Sequence, residues 1–479
     1  MNSWKPGLVL QIDLETGTCS TSELDRTSLA SYLGGQGLAM KLLFEMLPND
    51  ADPLGPDNVV VICPGLLTGT AAPASARTEI ATRSPLTGGL GRGNFGGSWG
   101  ARLRLAGFAA LILVGRSSSP VNVIIDGEEI SLADAHHHWG VDAWETTASL
   151  RKEYGADFSV LCIGPAGENQ IRYACPVVDF YNAAGRSHAG CVLGNKQVKA
   201  IAVRGKHTPV AASPKAYLLA CERAMDRVVR HPNWGLFGSP RIDNMLVTRA
   251  SAVGGKLACR NFQSTELHKE SEVWKVPEIV QPYLRRGPDF CFHCRVGRGL
   301  GCNLVAEIGA EGVSGSSPIG PANFLLTVWM PQAGIRDYEG TWRMRELCQR
   351  LGMDLMTPIP QAMEWYERGI LTKRDTGGLE LTWGNEEAAR EMLRRIAFRV
   401  GIGDLLAEGV ECCAKKLGQE AENTLITLKG SPILASDPRS GSLAEALGIL
   451  VSPRGGDDLS STHTIIDSCP EWARSRGWS

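Results

Sequence analysis

Five apolar runs rich in β-branched residues occupy the first 203 positions of this 479-residue chain, and several of them end directly in glycine or proline. They cover residues 59–62, 111–114, 121–125, 160–163 and 200–203. Runs of this composition that are bounded by turn residues are typical of β-strands. The sequence therefore predicts a strand-rich region up to about residue 207. Helices are predicted over residues 28–47 and 141–154, the first with Gly34 to Gly37 either inside it or at its N-terminal end.

The pattern changes beyond this region. The stretch 207–214 carries two prolines among small polar residues, which is the composition of a domain boundary. In segment 385–400 four apolar residues fall on one helical stripe, and segment 405–417 repeats that pattern. We therefore predict an α+β protein with a β-rich N-terminal domain over residues 1–207. Mainly helical domains are predicted over residues 208–479.

Charge and hydropathy exclude several functional classes. The chain has 51 acidic and 49 basic side chains, so no overall field attracts it to nucleic acid or to an anionic membrane. Its longest apolar run, residues 105–114, is too short to span a bilayer, and its N-terminus does not resemble a signal peptide. We therefore expect a cytoplasmic protein in which the 14 cysteines stay reduced, and in which clustered thiols favour metal ligation over disulfides.

Three cysteines lie within a dozen residues of one another. Cys291 and Cys294 form a C-x-x-C motif, and Cys302 follows after a glycine-rich segment. Two thiolates at this spacing can bind one metal centre, and a third can complete part of its coordination, as in zinc sites and [4Fe–4S] clusters. Thiols that coordinate nothing are the alternative.

Glycine runs are the second compositional feature, with 55 glycines in the chain. The runs at 34–37, 88–97 and 185–190 lie between apolar segments in the first half. Without Cβ atoms, such main chain can line a concave anion site with N–H groups, which predicts a phosphate-bearing cofactor. Tight turns between strands explain any single run equally well.

A histidine triplet, His136 to His138, also invites a metal assignment. It follows Ala133-Asp134 and precedes Trp139-Gly140, as in a loop that opens a helix. Since adjacent residues on a helix do not face one centre, we do not assign a metal to the triplet.

A series of motifs follows a fixed order along the chain. They are Gly-Gly-Gln-Gly-Leu at 34–38, Pro-Gly-Leu-Leu-Thr-Gly at 64–69, Ser-Pro-Leu-Thr-Gly at 84–88, Gly-Pro-Ala-Gly-Glu-Asn at 164–169, Ala-Gly-Arg at 184–186, Arg-Asn-Phe-Gln at 260–263 and Ser-Pro-Arg-Gly-Gly at 452–456. In this order they resemble the tungsten-containing aldehyde ferredoxin oxidoreductases. The resemblance covers essentially the whole chain.

This resemblance implies a β-rich base that carries two pyranopterin dithiolenes, with two helical domains closing over tungsten or molybdenum. The pterin phosphates would be bridged by Mg²⁺, with arginine side chains as charged forks. The cofactor-binding residues implied in this way are Gly35, Gly37, Arg77, Asn94, Gly96, Gly97, Arg186, Asp354 and Arg454.

The resemblance also implies a reaction, the oxidation of an aldehyde to a carboxylic acid with water as the oxygen source. Electrons would pass through one [4Fe–4S] cluster, held by Cys291, Cys294 and Cys302, to ferredoxin. Glu311 matches the general base of the family. A homodimer is common in that family.

Three features depart from the family pattern. Arg298 occupies the place of the third cluster cysteine, and Asp458 falls near the place of a catalytic histidine, with His463 as a second candidate. The chain also ends before the second pterin motif and the fourth cluster cysteine. These departures keep two other functions open: a reductase of aromatic acyl-CoA thioesters on the same cofactor, and a cofactor-binding protein without turnover.

Overall fold

Two six-stranded sheets dominate the first 204 residues. A computed structural model describes residues 7–180, 182–230, 257–266, 291–292, 304–306, 317–319, 329, 331–433, 437–439, 443–457 and 474. The strands of the two sheets are β1 (Leu8–Asp13), β2 (Cys19–Glu23), β3 (Val60–Pro64), β4 (Thr78–Arg83), β5 (Leu90–Phe95), β6 (Ala110–Val114), β7 (Val121–Asp126), β8 (Glu129–Asp134), β9 (Ser159–Cys162), β10 (Val177–Val178), β11 (Asn182–Ala183) and β12 (Val198–Arg204).

Both sheets are mixed. Their strand orders are β2-β1-β6-β3-β4-β5 and β11-β10-β9-β12-β7-β8, with parallel pairing between β1 and β6 and between β7 and β12. The five predicted strands are confirmed as β3, β6, β7, β9 and β12. These strands read as continuous apolar runs because helices cover both faces of each sheet.

Helices form three layers around the sheets. The helices of this region are α1 (Arg26–Tyr32), α2 (Gly35–Met46), α3 (Trp99–Ala106), α4 (Ala143–Tyr154), α5 (Pro165–Glu168) and α6 (Ala189–Asn195), and a 3₁₀ helix spans His136–His138. The core between the two sheets contains Trp99 and Leu103 of α3 and Leu193 of α6. Helix α2 covers the outer face of the first sheet, and α4 covers the outer face of the second.

The helix predicted over 28–47 is wrong in one respect, because it is broken into α1 and α2. Leu33 has φ +60°, and Gly34 lies so close to the chain after β3 that a Cβ there would be 2.8 Å from the nitrogen of Leu66. The contact requires glycine at this position. As a result, the glycine run lies at the N-terminus of α2.

The glycine run at 88–97 contains strand β5, which pairs antiparallel with β4. A Cβ on Gly91 would be 2.5 Å from the carbonyl oxygen of Ser187, and one on Gly93 would be 2.8 Å from that of Ala184. Glycine therefore lets the segment before α6 pack directly on the strand.

The rest of the described chain is mainly helical, which confirms the α+β class. Its elements are α7 (Pro214–Val229), α8 (Tyr338–Leu351), α9 (Ile359–Glu367), α10 (Glu386–Ala397), α11 (Ile402–Ala407), α12 (Val410–Leu417), α13 (Gln419–Glu422) and α14 (Leu443–Val451), with short strands β13 (Leu304–Ala306), β14 (Ser317–Ile319), β15 (Thr427–Leu428) and β16 (Ser431–Pro432).

Helix α10 confirms the prediction for 385–400, and Asn385 caps it by accepting a hydrogen bond from the backbone N–H of Ala388 at 3.1 Å. The helix predicted over 405–417 is divided at Gly409, whose φ is +96°. Among the described residues, no helix has both the length and the hydropathy needed to cross a bilayer.

Candidate functional site

The paired strands β4 and β5 hold the first group of site residues. Their register places Glu79 opposite Asn94. The buried Glu79 carboxylate accepts hydrogen bonds from Arg92 Nη1 at 2.7 Å and from Asn94 Nδ2 at 3.1 Å. Because one oxygen binds each partner, the arginine and the asparagine are held side by side along β5.

The turn after β5 brings a cluster cysteine against the glycine-rich chain. The backbone N–H of Gly97 donates to Cys291 Sγ at 3.2 Å, and Phe292 N–H donates to the carbonyl of Gly97 at 3.1 Å. A Cβ on Gly96 would lie 2.5 Å from the same sulfur and 3.5 Å from Arg77 Nη1. The Cys291 sulfur therefore lies directly against the glycine-rich turn.

A second arginine joins the sheets to the helical part. Arg186 has φ +56°, and its backbone N–H donates to the Asp354 carboxylate, whose other oxygen accepts from Met356 N–H at 2.9 Å. The Arg186 guanidinium donates to Ser431 Oγ at 2.8 Å and to the carbonyl of Pro432 at 2.9 Å. Arg186 and Asp354, two of the predicted cofactor-binding residues, are therefore joined by a buried hydrogen bond.

Arg454 supplies a third buried guanidinium. It makes a bidentate pair with Asp457, at 2.6 and 2.7 Å, and donates to the carbonyl of Arg92 at 3.0 Å. Asp457 is the first of the two acids near the place of the family's catalytic histidine. Its carboxylate, which is fully buried, is bound to Arg454.

His188 is a site residue that the sequence analysis did not single out. Burial, reinforced by the positive charges of Arg186 and Arg454, lowers the pKa of His188 to about 3. Ser84 Oγ accepts hydrogen bonds from the N–H groups of Leu86 and Thr87, so its hydroxyl proton is available to donate to His188 Nδ1, 2.7 Å away. The ring is therefore neutral and carries its proton on Nε2.

The two glycines of α2 lie at the border of this group. Gly35 has φ +54°, and a Cβ there would be 3.7 Å from the Cα of Gly65, whose N–H donates to the carbonyl of Arg77 at 3.0 Å. Gly37 packs against the carbonyl of Tyr32, 2.6 Å from the position of its missing Cβ. The close packing of α1 on α2 accounts for this second glycine.

A small cavity lies beside the Asp354 link. Its volume is about 30 Å³, and Leu355, Met356, Pro432 and Gln332 contribute to its lining. Gln332 Nε2 is buried and has no hydrogen-bond partner. The cavity therefore offers one free donor and room for a water molecule or a polar ligand atom.

Six of the residues singled out from the sequence lie outside the described residues. They are the catalytic candidates Glu311, Asp458 and His463, the cluster candidates Cys294 and Cys302, and Arg298. The structure brings the remaining candidates together around β5, apart from Gly35 and Gly37, which lie on α2.

The donors around β5 suit an anionic cofactor and a metal centre. Arg92 lies on the strand, Arg454 donates to the carbonyl of Arg92, and the Cys291 thiol lies at the end of the strand. Comparisons with known proteins identify the family. The N-terminal domain of aldehyde ferredoxin oxidoreductase matches residues 9–205, and domains 2 and 3 of that family match residues 220–476.

Individual relatives agree with this result. The tungsten-containing aldehyde ferredoxin oxidoreductase of Pyrococcus furiosus is 33% identical over 458 residues, which cover 94% of this chain and 73% of that protein. The aliphatic sulfonate oxidoreductase WOR-like subunit of the same organism is 27% identical. That match covers 95% of this chain and 75% of that protein.

Among solved structures, the active-site complex BamBC of benzoyl coenzyme A reductase with 1,5-dienoyl-CoA is similar, with a TM-score of 0.83 and 26% identity. The similarity covers 95% of this chain and 70% of that one. The chain belongs to the aldehyde ferredoxin oxidoreductase family, as the order of its motifs predicts. It is therefore an oxidoreductase of a family whose tungsten-containing members imply a tungstopterin cofactor.

Proposed function

We propose that this protein oxidises aldehydes to carboxylic acids, using a tungsten bis-pyranopterin and a [4Fe–4S] cluster, with ferredoxin as the electron acceptor. The contact between Cys291 and the chain at Gly96 and Gly97 is the observation that supports this most directly. It joins a predicted cluster ligand to the segment predicted to hold the pterin. Electrons could then leave the pterin site over a short distance.

The cofactor, when bound, would activate water and accept two electrons from the substrate. Overall, an aldehyde and one water give a carboxylic acid, two protons and two electrons, and the electrons reduce ferredoxin one at a time. Arg77, Arg186 and Arg454 would neutralise the phosphates, together with Mg²⁺. Asn94, Gly96 and Gly97 would contact the pterin, and Asp354 would hold Arg186 in place.

Proton transfer is assigned to three residues on sequence grounds. Glu311 would act as the general base, and Asp458 or His463 would move the second proton. The structure describes the neighbouring acid, Asp457. Because Asp457 is bound to Arg454, it would position the loop and would not itself carry protons.

Reduction of an aromatic acyl-CoA thioester is the second candidate. Its support is the similarity to the benzoyl coenzyme A reductase complex over 95% of this chain. Electrons would then flow from the carrier to the substrate. Such an enzyme requires a partner that delivers low-potential electrons, whereas the aldehyde reaction reduces its partner.

Assays in both directions separate these functions. We expect anaerobically purified protein containing tungsten or molybdenum to reduce an oxidised viologen dye when an aldehyde is added. Oxidation of reduced dye by an aryl-CoA, without aldehyde activity, would establish the second candidate instead. Absence of pterin-bound metal, iron and acid-labile sulfide together with inactivity in both assays would identify a binding protein without turnover.

The role of Cys291 is tested by C291S. Replacing the thiolate removes a cluster ligand, so we expect loss of the reduced-cluster EPR signal and a fall of at least about 100-fold in aldehyde-dependent dye reduction, comparable to the loss of a catalytic group. The matched control is C19S, since Cys19 is an exposed cysteine on β2. A C291S protein with the full EPR signal would refute the assignment.

A further inference from the structure

A group of potential metal ligands lies between the 3₁₀ helix His136–His138 and α4, outside the candidate site. His137, His138 and Glu153 each offer one ligand atom, and these three atoms lie within 4.8 Å of one another. His138 is buried, whereas His137 and Glu153 are exposed. The expectation that adjacent histidines do not face one centre is therefore wrong for His137 and His138. A tight 3₁₀ turn brings their imidazole rings together, with ring centroids 3.9 Å apart.

The buried histidine has a polar side chain at each ring nitrogen. Its Nδ1 lies 3.1 Å from Asn122 Nδ2, and its Nε2 lies 2.9 Å from Ser149 Oγ of α4. Asn122 Oδ1 is buried and has no hydrogen-bond partner. Turning this amide would direct Oδ1 at a protonated Nδ1, and rotation of the Ser149 hydroxyl would then open the Nε2 lone pair to a cation. A carbonyl that accepts from the second ring nitrogen usually orients a ligating histidine.

The donor set selects the kind of cation. Two imidazole nitrogens and one carboxylate oxygen suit Zn²⁺ and similar transition cations, whereas Ca²⁺ and Mg²⁺ prefer oxygen ligands. Bond lengths near 2.1 Å place tetrahedral ligands about 3.4 Å apart, so the group must contract slightly. Two exposed side chains can provide that movement, and water or Ser149 can take the fourth position.

We propose that His137, His138 and Glu153 form a surface site for a divalent transition cation such as Zn²⁺. The cation would join the 3₁₀ helix His136–His138 to α4, and its binding would stabilise the folded sheet domain. The site does not depend on the proposed oxidoreductase reaction, because none of its residues belongs to the group around β5.

Zinc titration of the full-length protein tests this site. The variants are H137A and E153Q, which change exposed ligands, and the matched control is H136A. His136 is an exposed neighbour bonded to Asp134 at 2.5 Å and lies outside the group of three. We expect calorimetry to show one Zn²⁺ equivalent that H137A and E153Q each weaken at least about tenfold and that H136A leaves unchanged. Subtracting the variant isotherms from that of the parent removes zinc bound by cysteines.

Thermal unfolding provides the second measurement. Zn²⁺ should raise the melting temperature of the parent and of H136A more than that of H137A or E153Q. With Co²⁺ as the probe, the equivalent absent from H137A should show no thiolate-to-cobalt charge-transfer band. Equal isotherms and equal thermal shifts in all four proteins would overturn the proposal. So would equal weakening in H136A, which would indicate nonspecific binding to surface imidazoles.

Discussion

At the scale of single residues, the site contains buried charged side chains that form ion pairs with one another. Glu79 binds Arg92, and Asp457 binds Arg454, both at distances of 2.6 to 2.7 Å. Unpaired charges are costly to bury, so these carboxylates keep the guanidinium groups in place. His188 lies among them as a neutral group, because protonation would add a buried charge beside Arg186 and Arg454.

His188 makes the stability of the fold depend on pH. Its pKa is about 3 in the folded protein and about 6.5 in the unfolded chain, so below pH 6.5 only the unfolded chain gains the proton. This contribution is fully present above pH 6.5 and decreases as the pH falls toward 3. Between pH 7.5 and 5 we expect His188 alone to lower the free energy of unfolding by about 2 kcal/mol. Urea denaturation at both pH values measures the loss.

The variant H188N is the matched comparison for this prediction. Asparagine tolerates the left-handed backbone of position 188, where φ is +56°, and it retains a polar side chain. Its free energy of unfolding should therefore fall about 2 kcal/mol less than that of the parent over the same pH interval. Identical pH profiles would show that His188 is protonated in the folded protein.

At the scale of secondary-structure elements, α3 connects the two sheets. Trp99 is fully buried and donates through Nε1 to the carbonyl of Ile201 in β12 at 2.9 Å. On the other side of the helix, Gly100 faces β4, where a Cβ would lie 1.8 Å from Thr78 Oγ1. The close contact fixes the strand that carries Glu79.

Substituting Gly100 with alanine tests this packing. Alanine in a helix interior gains about 1 kcal/mol over glycine, but overpacking of this severity costs about 3 kcal/mol. We therefore expect G100A to lower the free energy of unfolding by about 2 kcal/mol, measured by urea denaturation. The double variant G100A/T78A should recover more than half of the loss, since Thr78 Oγ1 has no hydrogen-bond partner.

The control for this prediction is G89A. Gly89 is exposed, and its nearest neighbour would be 3.7 Å from the added Cβ. Its effect should stay within about 0.5 kcal/mol. A G100A protein as stable as G89A would mean that α3 and β4 separate without cost.

At the scale of the whole molecule, one segment after α5 ties the sheets to the helices. Ile171 and Tyr173 belong to the helical core. Arg399, just after α10, donates through Nε to the carbonyl of Asn169 at 2.6 Å and through Nη2 to that of Gln170 at 2.8 Å. Glu408 pairs with Arg399 at 2.7 Å and with Arg172 at 2.8 Å, so it bridges both sides of the junction.

Removing the charge of Glu408 should weaken this junction. The pair is partly buried, so E408Q is expected to lower the free energy of unfolding by about 2 kcal/mol, between the values for exposed and buried pairs. Calorimetry should also show that the sheet and helical regions unfold at more widely separated temperatures. The control E391Q changes a pair within α10, Glu391 with Arg395 at 3.1 Å, and should cost at most about 0.5 kcal/mol.

The E408Q effect should depend on pH. Burial raises the pKa of Glu408, but hydrogen bonds from Arg172 and Arg399 outweigh it and the pKa lies below its ordinary 4.5. The carboxylate is therefore stabilising above pH 4.5, and its contribution decreases as the pH falls further. A difference between parent and E408Q that persists undiminished at low pH would exclude the ion pairs as its cause.

Local hydropathy patterns predict the helices and strands in which one whole face, or both faces, are buried. The apolar runs at 111–114 and 200–203 became β6 and β12, and the stripe in 385–400 became α10, because packing agrees there with local preference. Strand β5 was missed, since its glycines suggest a loop. They are accommodated in a strand because the chain at Ala184 and Ser187 packs against Gly93 and Gly91.

The family, the α+β class and the presence of thiols and arginines for a cofactor can all be predicted without coordinates, since they follow from motif order, hydropathy and side-chain chemistry. Cys291 meeting Gly97, Arg454 donating to the carbonyl of Arg92 and His188 staying neutral all depend on the tertiary structure. Each of these facts depends on contacts between residues that are distant in sequence or on burial. Local propensity contains no information about either.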